Sequence, residues 1–218
     1  MSAHAVAFNT ADGTDPEAVF PGVPLPDRLR TVSARRRLDF LAGRYCALRA
    51  LELASLAIGP ASLPVGDGGA PAWPAGAVGS ITHAEGFASA AVASACDVAG
   101  VGIDCEPILA SSEVAEVRAL LVEPGELEQA VLAGRGEEEA LTLIFSAKES
   151  LYKCLYPRVG RFFDQLDARV TVEPPSSFVA CLKVDLAPGL EAGTRLRGRF
   201  AVDGRRVHTA VVIDHGSG

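Results

Sequence analysis

The chain has no run of about 18 apolar residues, which excludes an ordinary membrane-spanning helix. Its opening residues, MSAHAVAFNTADGTD, lack a basic stretch followed by an apolar one, so no signal peptide is expected. None of the five cysteines, Cys46, Cys96, Cys105, Cys154 and Cys181, falls into a Cys-x-x-Cys pair, and an odd number makes a poor disulfide framework. They are expected to be reduced, small and mostly buried in a cytoplasmic protein. Aromatic residues are only 6% of the chain, so Ala, Val and Leu must fill the core. Positive charge is in deficit, with a net charge of −7 and a pI near 5.1, which argues against a general nucleic-acid binder.

What is present is a core-forming composition, 49% hydrophobic over 218 residues, enough for one large domain or two small ones. The arginines are clustered: Arg28, Arg30, Arg35, Arg36 and Arg37 early, and Arg195, Arg197, Arg199, Arg205 and Arg206 late. An acidic protein with local arginine clusters can still hold an anionic ligand.

The patterning predicts a short strand at 3–8, a loop over 9–27 and a first long helix over 33–57. Ser33 caps that helix, and Leu38, Leu41, Tyr45, Leu48 and Leu51 form its apolar stripe. Gly59-Pro60 is its expected stop. Residues 59–79 hold many glycines and prolines and read as loop. Gly86–Ala95 and Val98–Ile103 read as two buried strands joined by a turn at Cys96-Asp97. Short helices are expected near 112–121 and 124–132, and a long one over 137–156 that stops at Pro157. Strands follow near 167–173, 178–184, 194–201 and 206–213. The order helix-then-strands recurs around 33–103 and 137–213. This predicts an α/β (α+β) fold of two similar lobes, 1–100 and 101–218.

Two stretches carry most of the chemistry, Val101-Gly-Ile-Asp-Cys-Glu-Pro107 and Phe145-Ser-Ala-Lys-Glu-Ser-Leu-Tyr-Lys153. Alternation along a strand puts Asp104 and Glu106 on one face and Cys105 on the other. With Glu149 from the second lobe's helix they make an all-oxygen donor set suited to a hard cation such as Mg²⁺, whereas zinc would want His or Cys. Each piece also has a plainer reading. An Asp-x-Glu at a strand end is often a solvated face. Glu149 and Lys153, spaced i,i+4, match a helix-surface ion pair worth about 0.2–0.5 kcal/mol. Arg36 and Arg44, flanking the apolar stripe of the first helix, can present guanidinium forks to a phosphate or simply line a solvated face. His83, in Gly79-Ser-Ile-Thr-His83, is expected at the mouth between a glycine-rich loop and a strand.

Taken together, Phe40-Leu-Ala-Gly-Arg44, Pro71-Ala-Trp-Pro74, Gly79–His83, Val101–Pro107 and Phe145–Lys153 resemble the Sfp/EntD-type 4′-phosphopantetheinyl transferases. Thr194-Arg-Leu-Arg-Gly-Arg-Phe200 is similar to the C-terminal strand of actinobacterial members. The resemblance runs from about residue 35 to 213. It implies a pseudo-twofold pair of α/β lobes in one monomeric, cytoplasmic chain, with coenzyme A between them. It further implies that Asp104, Glu106 and Glu149 bind Mg²⁺ or Mn²⁺, and that Arg36, Arg44, Thr82 and His83 hold the nucleotide phosphates. Lys148 and Lys153 would lie on the pyrophosphate side. The implied activity is that of a holo-[acyl-carrier-protein] synthase, transfer of phosphopantetheine to a serine of an apo acyl or peptidyl carrier protein. Glu149 is the expected base, Glu106 the second choice, and Lys153 stabilises the leaving bisphosphate. Fatty-acid, polyketide and nonribosomal-peptide carriers are all open as acceptors. No nucleic-acid or membrane partner is expected.

One stretch departs from the family pattern. Gly66-Asp-Gly-Gly-Ala70, before Trp73, has no basic residue where many relatives carry one. Arg37 or Arg49 could replace it. The departure keeps a second class of function in view, a non-catalytic module that binds coenzyme A or a carrier protein; a third is an Mg²⁺-dependent nucleotide hydrolase. Carrier docking is expected on 108–136, through Leu109, Val117, Leu120, Leu121 and Leu127. Arg195, Arg197 and Arg199 would serve either as docking charge or as a solvated strand face.

Overall fold

The computed structural model describes residues 1–8, 15–56, 63–66 and 69–215. It is a mixed α/β fold with antiparallel sheets, divided into two compact units, Met1–Val98 and Ala99–Gly218.

In the first unit a three-stranded sheet runs in the order β1 (Ser2–Ala7), β3 (Phe87–Ser94), β2 (Ala77–Ala84). A short helix α1 (Pro16–Val19) precedes α2 (Ala34–Leu53), which packs on the sheet. Ser33 caps α2 by accepting from the Arg36 N–H at 3.3 Å. Leu38, Leu41, Leu48 and Leu51 are buried at steps of three and seven, with Tyr45 half-buried between them, as the periodicity requires. The facing strand is built from small residues, Ala88, Ala90 and Val92, so helix and sheet approach closely. A Cβ on Gly43 would stand 2.8 Å from Ile81 Cγ2. The helix ends at Leu53 rather than 57, because Ser55 turns left-handed at φ 54°. The expected stop at Gly59-Pro60 lies outside the described residues, as do Asp67, Gly68 and the last three residues.

Two strand expectations need correction. Residues 77–84 are strand, not the end of a loop followed by a mouth. β2 joins β3 through a tight turn at Glu85-Gly86, both at positive φ. The alternation in this strand is hidden by Gly79, on which the Trp73 indole lies; a Cβ there would be 2.8 Å from the ring. Nor does the strand after Cys96-Asp97 run over 98–103: it covers 100–107, and its neighbour is not β3. The two edges of β3 are already taken by β1 and β2, so β4 (Gly100–Pro107) goes to the other sheet.

That sheet has five strands in the order β4, β8 (Arg206–Ile213), β7 (Arg195–Val202), β6 (Ser177–Leu182), β5 (Ala168–Glu173). Helices α3 (Val114–Leu121), α4 (Glu126–Leu132) and α5 (Glu137–Val159) precede its last four strands. The apolar side of α5, including Ile144, Leu151 and Leu155, covers Val170, Phe178, Leu182, Val207 and Val211. The β5 edge does not face water bare. Gln129 of α4 bonds the Val172 N–H and carbonyl at 2.9 and 3.0 Å, and Glu126 takes the Val170 N–H at 2.7 Å. Pro157 does not stop α5. It sits in the last turn, and the helix runs on to Val159 and ends at Gly160 with φ 68°. Among the described residues no helix is long and apolar enough to cross a membrane. The five cysteines are free, and burial pushes the Cys46, Cys105 and Cys154 thiols up to about 12.

Candidate active site

The residues singled out by the sequence fall into a polar cluster in each unit. In the first, α2 and β2 border a cavity of about 270 Å³ whose lining includes Arg28, Arg36, Asp39, Phe40, Arg44 and His83. Arg44 is 5% exposed and lays its guanidinium over the Phe40 ring one turn earlier, 5.0 Å from the centroid. Its Nε and Nη1 atoms are buried with no hydrogen-bond partner. Burial, and then the charge of Arg28, bring its pKa down to about 10, so it is still a cation at neutral pH. Among the described lining residues Asp39 is the only carboxylate. A buried, unpaired guanidinium with a second cation beside it is costly alone and is stabilised by an anion.

His83 lines the same cavity from β2. Thr82, 3% exposed, belongs to the opposite face of that strand and is not part of the lining. The structure therefore gathers Arg36, Arg44 and His83, leaves Thr82 out and adds Arg28. Arg37 and Arg49 are not among the described lining residues of this cavity. The Arg37 guanidinium donates to the Arg30 and Val32 carbonyls at 3.2 and 2.9 Å, and Arg49 pairs with Glu52. Arg28 was invisible as a site residue because it sits on a one-turn 3-10 helix, Asp27–Leu29, which has no periodicity to read.

The second unit holds the carboxylates. Glycine at 102 lets the α5 backbone rest on β4, and this sets Asp104 against the helix face that carries Ser146 and Lys153. The Lys153 ammonium donates to Asp104 Oδ1 at 2.6 Å, and the Ser146 hydroxyl donates to Oδ2 at 2.8 Å. Thr209 of β8 braces this pair by donating to the Ser146 carbonyl at 2.8 Å. The plainer reading, a Glu149–Lys153 surface pair, is not what forms: Lys153 reaches Asp104, and Glu149 accepts from Gln165 at 2.5 Å. Burial first, then the negative charge of Asp104, push the Glu106 carboxyl up to about 7, with Glu149 adding to the rise and Lys153 opposing it. Glu149 is also raised, by burial and by Asp104, against the pull of Lys153 and the Gln165 hydrogen bond. This is a cluster short of positive charge.

Its donors suit a hard cation in kind, being oxygens only, with Cys105 fully buried on the other face. They are not gathered into a finished cage. Among the described residues no three His, Cys, Asp or Glu side chains stand close enough to hold a metal, and Lys153 takes one oxygen of Asp104.

Lys148 is not part of this group. Its ammonium is inside the unit, 1% exposed, donating to the Leu121 carbonyl at 2.7 Å and to Glu126 Oε2 at 3.0 Å. Burial pulls its pKa down, and Glu126 opposes that. Glu126 also accepts from the Glu123 and Val170 N–H groups, so the pair ties α3, α4 and β5 to α5. Lys148→Met leaves a buried carboxylate without its cation and is expected to cost about 3–5 kcal/mol in a urea titration. A loss under about 1 kcal/mol would show that the pair is dispensable. Of the expected docking residues, Leu127 is core, Leu109 and Val117 pack against the core, and Leu120 is exposed. Arg195, Arg197 and Arg199 alternate outward along β7, with Arg197 3.0 Å from Glu173.

Residues 25–93 match the family described as 4′-phosphopantetheinyl transferase N-terminal domain, and residues 100–188 match the 4′-phosphopantetheinyl transferase superfamily. The 4′-phosphopantetheinyl transferase Svp of Streptomyces mobaraensis is 39% identical over 187 residues, covering 82% of this chain and 73% of the relative. The 4′-phosphopantetheinyl transferase PptT of Mycobacterium tuberculosis is 34% identical over 207 residues, 88% of each chain. Enterobactin synthase component D of Salmonella typhi is 32% identical over 157 residues, 72% of this chain and 63% of the relative.

Proposed function

The chain belongs to the 4′-phosphopantetheinyl transferase superfamily, and from that premise we propose that it transfers the 4′-phosphopantetheine arm of coenzyme A to a serine hydroxyl of an apo acyl or peptidyl carrier protein. The serine oxygen bonds to phosphorus, the pyrophosphate P–O bond breaks, and adenosine 3′,5′-bisphosphate leaves. The observation that carries the reading is the buried, unpartnered Arg44 guanidinium beside Arg28 in a cavity also lined by Arg36 and His83. Such a site suits the phosphates of a nucleotide far better than a neutral ligand.

At the reacting end, Asp104, Glu106 and Glu149 would hold Mg²⁺ or Mn²⁺, which when bound supplies positive charge to the pyrophosphate. Glu149 takes the serine proton as general base. Glu106 is the alternative base. Lys153 is the remaining cation at this cluster, and its place is beside the charge that develops on the leaving bisphosphate. We place the reaction in the cytoplasm, in keeping with five free cysteines.

The test is direct. Apo carriers incubated with the protein, coenzyme A and Mg²⁺ should gain the mass of one phosphopantetheine arm. No gain with fatty-acid, polyketide and nonribosomal-peptide carriers alike would end the proposal, and release of pantetheine phosphate without an acceptor would indicate a hydrolase. Arg44→Met is expected to weaken coenzyme A about 10–100-fold by calorimetry, the loss of one charge-assisted contact. Unchanged affinity would remove the cavity from the binding site.

A further inference from the structure

We infer that Gln165 is a positioning residue for Glu149, an assignment that rests on the reading of Glu149 as the group acting on the serine. The Gln165 amide donates from Nε2 to Glu149 Oε1 at 2.5 Å. Its orientation is dictated, because a carboxylate only accepts and the NH₂ end must face it. Gln165 Oε1 is buried without a hydrogen-bond partner, so the bond to Glu149 is what the side chain is there to make.

The turn that carries Gln165 is fastened independently of it. Gly160 ends α5 in the left-handed region. Phe163, 5% exposed, packs on Tyr152 with ring centroids 4.9 Å apart. Asp164 and Asp167 form a reciprocal capping box: Asp164 Oδ1 accepts from the Leu166 N–H at 2.9 Å, and Asp167 Oδ2 from the Asp164 N–H at 2.8 Å. The Asp167 carbonyl is held by the Lys183 N–H at 2.8 Å. None of these bonds uses the glutamine side chain. The turn presents an amide at a fixed place, two residues past a buried aromatic anchor and five past the helix-ending glycine.

A terminal carboxylate torsion is broad and two-fold, so Glu149 alone would swing. Lys153, one turn on, does not steady it, because its ammonium is on Asp104. A neutral amide does what a second lysine could not: it fixes one oxygen without cancelling the charge. Oε1 is held, and Oε2 is the oxygen left for the serine proton or a cation.

The test compares wild type with Gln165→Met, which keeps length and bulk but has no donor, and Gln165→Asn, which keeps the amide one methylene short of Glu149. Both are expected to lower kcat for transfer to an apo carrier about 10–100-fold, the usual cost of losing such a supporting bond. The KM for coenzyme A should stay within about twofold and the thermal midpoint should be unchanged. If Gln165→Met does not fold, Gln165→Asn decides alone. A folded variant with kcat within about threefold of wild type overturns the assignment. So does a fall in kcat that only tracks coenzyme A KM or lost stability. Failure of wild type itself to transfer sinks the transferase reading and takes this assignment with it; normal wild-type turnover with equally fast variants sinks the role of Gln165 alone.

Discussion

Asp104→Asn is expected to slow phosphopantetheine transfer about 10²–10³-fold, the range seen when one preorganised electrostatic group is removed from a reacting centre. The substitution is close to isosteric. The Ser146 hydroxyl can still donate to the remaining carbonyl oxygen, so the shape around β4 and α5 is kept. What disappears is the charge that holds the Lys153 ammonium at 2.6 Å and would help hold a cation. Lys153 is 29% exposed and can turn to water, so stability should change little. Intact-mass rates on an apo carrier, together with circular dichroism of the variant, measure both halves. Full activity in a folded Asp104→Asn protein would reduce the carboxylate cluster to an ordinary structural network. Loss of activity with loss of fold would point to packing instead.

Gly102→Ala is expected to destabilise the protein by about 3–5 kcal/mol, at the upper end of what overpacking does. A Cβ there would lie 1.9 Å from the Ser150 carbonyl oxygen and 2.6 Å from the Cys154 nitrogen. Those are backbone atoms in mid-helix, with no flexible end to swing away. On the other side β4 is held in register with β8, Gly102 opposite Val211. One of the two elements must shift, and lifting α5 from β4 also parts Lys153 from Asp104. A denaturant titration checks the size. Gly136→Ala serves as the control, since its added methyl would meet only Glu138 Oε2 at 3.9 Å, and it should cost under about 1 kcal/mol. Equal midpoints for the two variants would refute the close-packing account.

How legible the site was depended on the kind of signal. The apolar stripe of α2 and the alternation in β7 are one-dimensional patterns, and both appear in the structure where the pattern puts them. Asp104 and Glu106 were visible for the same reason, because strand geometry assigns their face. β2 was missed because Gly79 has no side chain to show alternation, and its reason for being glycine is the Trp73 ring. Ser146 had a faint signal, lying on the α5 face that also carries Glu149 and Lys153. Gln165 and Thr209 had none, since nothing near them in sequence marks a partner.

By itself the sequence determined which face of a long helix or strand a charged residue occupies, as for Asp104 and Glu106 on β4. That information is local, because backbone geometry fixes side-chain direction within a helix or strand. The partners were decided only by tertiary packing. Lys148 and Lys153 lie on one helix five residues apart, yet one is consumed by Glu126, 22 residues away, and the other by Asp104, 49 residues away. Burial separates them physically. A fully enclosed ammonium must find a carboxylate in the interior, whereas one that keeps contact with water can stay at a reacting surface.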